Sequence, residues 1–147
     1  MKITKNCIML IVMLCSVFFN AGCDKTEVEI TGGSVSFSGK VNVSPTTVKA
    51  GDEVTFSIDN SFSIGNISGS VESSTTINGK DVVKCVVYYI DGDEIGKSSD
   101  KNNKYALKYN VSELTVGNHN VTAHCESNFK NIEIAESISS GTLIIEE

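Results

Sequence analysis

The chain has no tryptophan, no arginine and a single proline, Pro45, and its only histidines are His119 and His124. With twelve lysines set against eighteen acids and a net charge of −6, it cannot assemble the basic patch that nucleic acid requires. The lack of tryptophan removes the commonest exposed platform for a sugar ring. The four tyrosines fall in strand-like segments, where core or cross-strand pairing is the expected use of a ring. Catalytic sets are missing as well. No serine sits in a Gly-x-Ser-x-Gly elbow, and no histidine stands beside an acid in a triad order, which argues against hydrolase chemistry and an enzyme. His119 and His124 have opposite parity on one alternating stretch and cannot share a metal. Asp91-Gly-Asp-Glu-Ile-Gly96 opens like a calcium loop, but Ile95 and Asn102 occupy ligand positions, so a hairpin turn is the expectation and no metal or cofactor is implied.

Long apolar runs are scarce too. The one present, Cys7 to Phe19, follows Lys2 and Lys5 and ends in Asn20-Ala-Gly-Cys23. Its 13 residues fall short of the ~20 that cross a bilayer, and no stop-transfer pattern follows, so it reads as a signal sequence. Small residues before a cysteine resemble the bacterial lipobox, with Asn20 standing where that motif has leucine. The resemblance implies cleavage before Cys23 and a lipid on that cysteine. Residues 1–22 are then a lipoprotein signal peptide and the membrane is a partner; cleavage by the ordinary peptidase is the alternative. The remaining 125 residues fit one domain with one core. Asp24 to Ser34 is polar and broken by Gly32-Gly33, so 23–34 reads as a flexible tether.

Beyond the tether the apolar residues alternate. Val35 and Phe37, Val41 and Val43, and Val54, Phe56 and Ile58 all follow period two, the signature of half-buried strands. Val82 to Ile90 ends in Asp91-Gly92, the dipeptide of a tight type I′ hairpin. Further strands are expected at Tyr105–Tyr109, His119–Cys125 and Thr142–Ile145. No stretch keeps helical periodicity. About seven short strands with regular turns predict an all-β, two-sheet sandwich over 35–147.

Val86-Val-Tyr-Tyr-Ile-Asp-Gly-Asp-Glu-Ile-Gly96, Tyr105-Ala-Leu-Lys-Tyr109 and Leu114-Thr-Val-Gly-Asn-His-Asn-Val-Thr-Ala123 resemble, in this order, the bacterial immunoglobulin-like modules of exported proteins. With the signal, the resemblance is to an envelope lipoprotein of Bacteroides type. It implies an immunoglobulin-like β-sandwich, attachment to the outer membrane facing the periplasm or the surface, and a binding or accessory role. A structural subunit or spacer of an adhesin, pilus or polysaccharide-uptake assembly is the alternative. Another envelope protein or a glycan would be the partner. In related sandwiches a tyrosine corner occupies the place of His119, which is expected to be semi-buried.

Two connections look longer than a sandwich needs, 59–81 and 126–140, and in this topology they meet at one pole, beside the tether. Loops carry function more often than strands, so Phe62, Ile64, Asn66, Phe129 and Lys130 are the candidate binding residues. The two phenylalanines have a plainer alternative as loop-packing residues. Cys85 and Cys125 remain as a pair in an exported, disulfide-permitting compartment, and a bridge between them would fasten the bases of both loops. The alternative is two reduced, buried thiols. Val86, Tyr88 and Ile90 facing inward turns Cys85 outward, while Val121, Ala123 and Cys125 share the inward face; a bridge therefore requires a bulge or a one-residue change of register.

Overall fold

The structure, a computed structural model, describes residues 29–70 and 79–147. The signal peptide and Cys23 lie outside the described residues. Within the described residues nine strands make two sheets. β1 (Glu29–Ser44), β3 (Glu53–Ser70), β6 (Leu107–Asn110) and β8 (Ile132–Ser139) form one sheet in the order β6-β3-β1-β8. β2 (Thr47–Lys49), β4 (Val83–Ile90), β5 (Asp93–Ser98), β7 (Gly117–Ser127) and β9 (Gly141–Glu146) form the other, in the order β2-β9-β7-β4-β5. A single helical turn, α1 (Gly79–Val82), precedes β4. This is an all-β, immunoglobulin-like sandwich.

The period-two pattern produces the core directly. Val35, Phe37 and Val41 of β1 and Val54, Phe56 and Ile58 of β3 point to one side of the first sheet, and all are buried. From the second sheet Val86, Tyr88, Ile90, Val121, Ala123, Leu143 and Ile145 meet them. Tyr88 is fully buried because its hydroxyl donates to the Tyr105 carbonyl at 2.8 Å, which removes the penalty for drying a phenol. Asp91 and Gly92 take φ of 52° and 97°, as a type I′ turn requires, and join β4 to β5.

Both ends of the chain change sheets. β1 leaves the first sheet at Ser44, the Ser44–Pro45 peptide is cis, and β2 then pairs in parallel with β9 of the second. β8 pairs in parallel with β1 from Gly33↔Ile132 to Lys40↔Ser139, after which the chain crosses at Ser140 and continues as β9 against β7. The crossing passes so close to β1 that a Cβ on Gly141 would stand 2.9 Å from the Val41 carbonyl oxygen and 2.9 Å from Val43 Cγ2.

Three expectations change. The connection 59–81 is strand as far as Ser70, because β3 continues against β1 to the pair Glu29↔Ser70. The connection 126–140 is mostly β8, a strand that finds its hydrogen bonds on β1 instead of in its own hairpin. Pairing also starts at Glu29, inside the stretch read as tether, and the described residues hold nine strands where about seven were expected, the additions being β2 and β8.

Candidate functional site

The cysteines are the clearest correction. Cys85 and Cys125 lie on adjacent strands, but Cys85 pairs with Glu126 and Cys125 with Val86. Residues one step apart across a ladder point to opposite faces, and a disulfide needs both Cβ atoms on one face, ~3.8 Å apart. A register shift does occur between Val83 and Cys85, but it falls before Cys85 and leaves that residue on the outer face of the sheet, where its neighbours still bury it. Both are free. The Cys85 thiol donates to Glu126 Oε2 at 3.2 Å, and Lys84 and Lys97 flank the same carboxylate at 3.7 and 3.9 Å. Cys125 packs against the core, where burial above all pushes its thiol up to about 12. Neither sulfur is poised as a nucleophile.

The candidate loop residues divide into groups. Phe62 lies on β3, half-buried, with its ring edge-on to Phe37 at 5.0 Å. Phe129, in the β7–β8 turn, is also half-buried. Both rings pack on a small cluster formed by Val35, Val82 and Ile132. The pole therefore brings the two phenylalanines together around a satellite core, in the packing role that was their alternative. Lys130 is exposed beside them. Ile64 and Asn66 belong to the upper part of β3, and their side chains lie outside the described residues.

A recess opens next to Phe62. It has a volume of about 450 Å³, inside the ~300–1,000 Å³ range of ligand pockets, and lies between β3 and the crossing from β5 to β6. Asn60 and Phe62 form one wall; Lys101, Asn102, Lys104 and Tyr105 form the other. The second wall is rigid for local reasons. Asp100 caps the 3₁₀ turn Lys101–Asn103 by accepting from the Asn103 amide at 3.2 Å, and its carbonyl accepts from the Tyr105 amide at 2.8 Å. Lys104 and Tyr105 then adopt φ of 52° and 55°, a left-handed pair that non-glycine residues seldom occupy. Ties to both sheets hold it there. The Lys104 carbonyl accepts from the Ile58 amide at 3.0 Å, the Lys104 ammonium donates to Asp59 Oδ1 at 2.5 Å, and the Tyr105 carbonyl receives the Tyr88 hydroxyl. The Tyr105 side chain is buried, which raises its phenol to about 12, and among the described residues its hydroxyl has no hydrogen-bond partner.

β3 contributes more than side chains. β6 covers it only from Glu53 to Phe56, and the Ile58–Lys104 bond is the next link. Since the Ile58 amide points away from β1, the alternation of an unbroken antiparallel ladder turns the N–H and C=O of Asn60 and Phe62 the same way, into the recess. Asn60 also has the inward parity of Val54, Phe56 and Ile58, so an amide stands where the strand otherwise supplies core. The sequence reading missed this wall because the Ser- and Asn-rich composition after Ile58 masked an alternation that continues through Asn60 and Phe62.

At the other pole His119 is nearly buried, and both ring nitrogens face acceptors, Nδ1 with Asp91 Oδ2 and Nε2 with the Thr115 carbonyl, each at 2.7 Å. The bond back to a carbonyl four residues upstream is the tyrosine-corner arrangement made with an imidazole. These acceptors, Thr115 first, raise the His119 pKa, and the His119 bond lowers that of Asp91. His124 lies against the Tyr89 ring at 5.5 Å and contacts Glu136 Oε2 at 3.0 Å, on the opposite face from His119. Among the described residues no three His, Cys, Asp or Glu side chains converge to hold a metal ion.

No family model matches the chain, and no curated protein matches it. Among solved structures it is similar to the fibronectin(III)-like modules of Clostridium thermocellum CbhA, with 15% identity and a TM-score of 0.43. That match covers 76% of this chain and 46% of the other, so the chain spans less than half of the structure it matches.

Proposed function

We propose that this immunoglobulin-like sandwich is a non-catalytic binding module of the cell envelope, an outer-membrane lipoprotein of Bacteroides type held by lipid on Cys23. The observation that carries the binding reading is the recess beside β3. It is a pre-formed, polar opening with an aromatic ring, two amides and lysine side chains on its walls, and it contains no paired acid and base for chemistry. The signal sequence and the lipobox resemblance support the location. A protein or a glycan of the envelope is the partner this reading implies.

A second reading, a spacer or structural subunit, is favoured by one feature. β1 begins at one pole and β9 ends at the other, since β8 and β9 run in the direction of β1. Such a module would separate what is joined to its two ends.

The test is a photo-reactive amino acid placed at Asn102 in intact cells. The binding reading predicts a discrete cross-linked adduct from Asn102 and none from a control position such as Glu113, on the β6–β7 connection. No adduct from Asn102, with the protein folded and in place, would leave the spacer reading.

A further inference from the structure

Resting on the binding reading above, we propose that the recess is a β-augmentation site that takes an extended peptide strand bearing an acidic side chain, with Asn60 and Phe62 supplying the backbone pairing and Lys101 the counter-charge.

The backbone determines the class of ligand. Asn60 and Phe62 each present one N–H and one C=O to the recess, and among the described residues nothing pairs with these four groups. Unpaired edge groups two residues apart, ~6.6–7 Å along the strand, repeat at the spacing of another extended polypeptide. A sugar ring has no such donor–acceptor alternation. The crossing that ends at Tyr105 caps the lower end of this edge through the Ile58–Lys104 bond, so an added strand would enter from the Ser70 end and stop there.

Charge determines the side chain. Lys104 is already paired with Asp59, whereas Lys101 is half-buried on the recess wall with no acid within ion-pair distance among the described residues. An ammonium on a wall, beside a backbone edge that fixes the incoming chain, selects a carboxylate on the residue that faces it. Asn60 and Asn102 offer further amides across the gap, so this end of the recess receives a polar side chain, and Phe62 lies next along the edge.

The experiment follows the backbone amide signals of the isotope-labelled protein as three probes are added. The first is a blocked heptapeptide alternating glutamate with valine. The second is its glutamine counterpart, and the third is the glutamate peptide N-methylated at alternate residues so that it cannot pair with a strand edge. The expected result is saturable shifts at Asn60, Phe62 and Lys101 with the first peptide, about tenfold weaker binding of the second, and none of the third; tenfold corresponds to one charge-assisted hydrogen bond. Lys101→Ala should weaken the glutamate peptide by the same factor with an unchanged melting temperature, since Lys101 makes no ion pair among the described residues. Equal binding of the N-methylated peptide, or no shifts with the glutamate peptide, overturns the proposal. If polygalacturonate shifts the same amides and the peptides do not, the strand proposal fails while the binding reading stands.

Discussion

His119 is enclosed by two acceptors and by the core, and that combination makes stability depend on pH. The imidazolium can donate from both nitrogens, to Asp91 and to the Thr115 carbonyl; the neutral ring can satisfy only one of them. Because the folded-state pKa is raised from 6.5, the contribution is fully present below that value and is lost as pH rises through the folded pKa. Asp91 is lowered from 3.8, so its share is present above that value and is lost as pH falls through the folded pKa. The melting temperature should therefore plateau between about pH 4 and 6.5 and decline on the alkaline side. Asp91→Asn, which keeps a residue suited to the left-handed turn, should lower the plateau and flatten the alkaline decline. A wild-type curve with no decline above pH 6.5 would show that the pair does not stabilise the fold. The cysteines give a second prediction at this scale. Thiol titration of unreduced, unfolded protein with the signal peptide removed and Cys23 blocked should count two thiols, from Cys85 and Cys125, and the native protein should react slowly because both sulfurs are shielded and held protonated. A count of zero would mean that the opposite-face register is wrong.

The crossing from β8 to β9 is the element on which the two sheets depend. One segment completes the first sheet against β1 and then the second against β7, and the change of sheet occurs where Gly141 passes over the β1 backbone. A methyl group there would meet a carbonyl oxygen and a valine methyl at 2.9 Å, and the backbone atom cannot rotate away. Gly141→Ala should cost about 1–3 kcal/mol by overpacking, seen as a lower melting temperature, whereas Gly51→Ala adds a side chain in open space and is penalised only by its φ of 94°. Equal losses at the two sites would indicate that backbone preference, not the close approach, sets the cost. Strand identity at the level of Val54-x-Phe56-x-Ile58 and the turn at Asp91-Gly92 were legible from alternation and turn chemistry alone. The inward parity of Val121, Ala123 and Cys125, with Cys85 outward, was legible too, but the bridge expected from the compartment did not follow, because the run Val82–Tyr89 is apolar on both faces and hides where the bulge falls. What the sequence concealed was non-local. β8 is held by β1, about 100 residues away, and its Glu- and Ser-rich outer face made it look like a loop. The recess was hidden for the same reason: its two walls come from β3 and from a capped turn 40 residues later, and only the fold brings Asn60 and Lys101 together.

For the whole molecule the direction of the strands sets how the sandwich would sit on a membrane if it is held by lipid on Cys23. β1 begins at the pole that carries the end of β3, α1 and Phe129, while the Asp91–His119 corner and the end of β9 lie at the opposite pole. Cys23 precedes the first described strand residue by six positions, a reach of at most about 20 Å. A lipid on Cys23 would therefore keep the tether pole near the membrane, point the His119 pole away from it, and leave the recess open on the flank of the sandwich. The proposed location depends on that anchor, and Cys23→Ala tests it directly. Cys23 precedes the first described strand, so the variant should melt at the wild-type temperature, lose lipid labelling and move from the membrane pellet to the soluble fraction, because acyl chains are what supply stable attachment. A Cys23→Ala protein that folds normally and remains in the pellet would contradict the account.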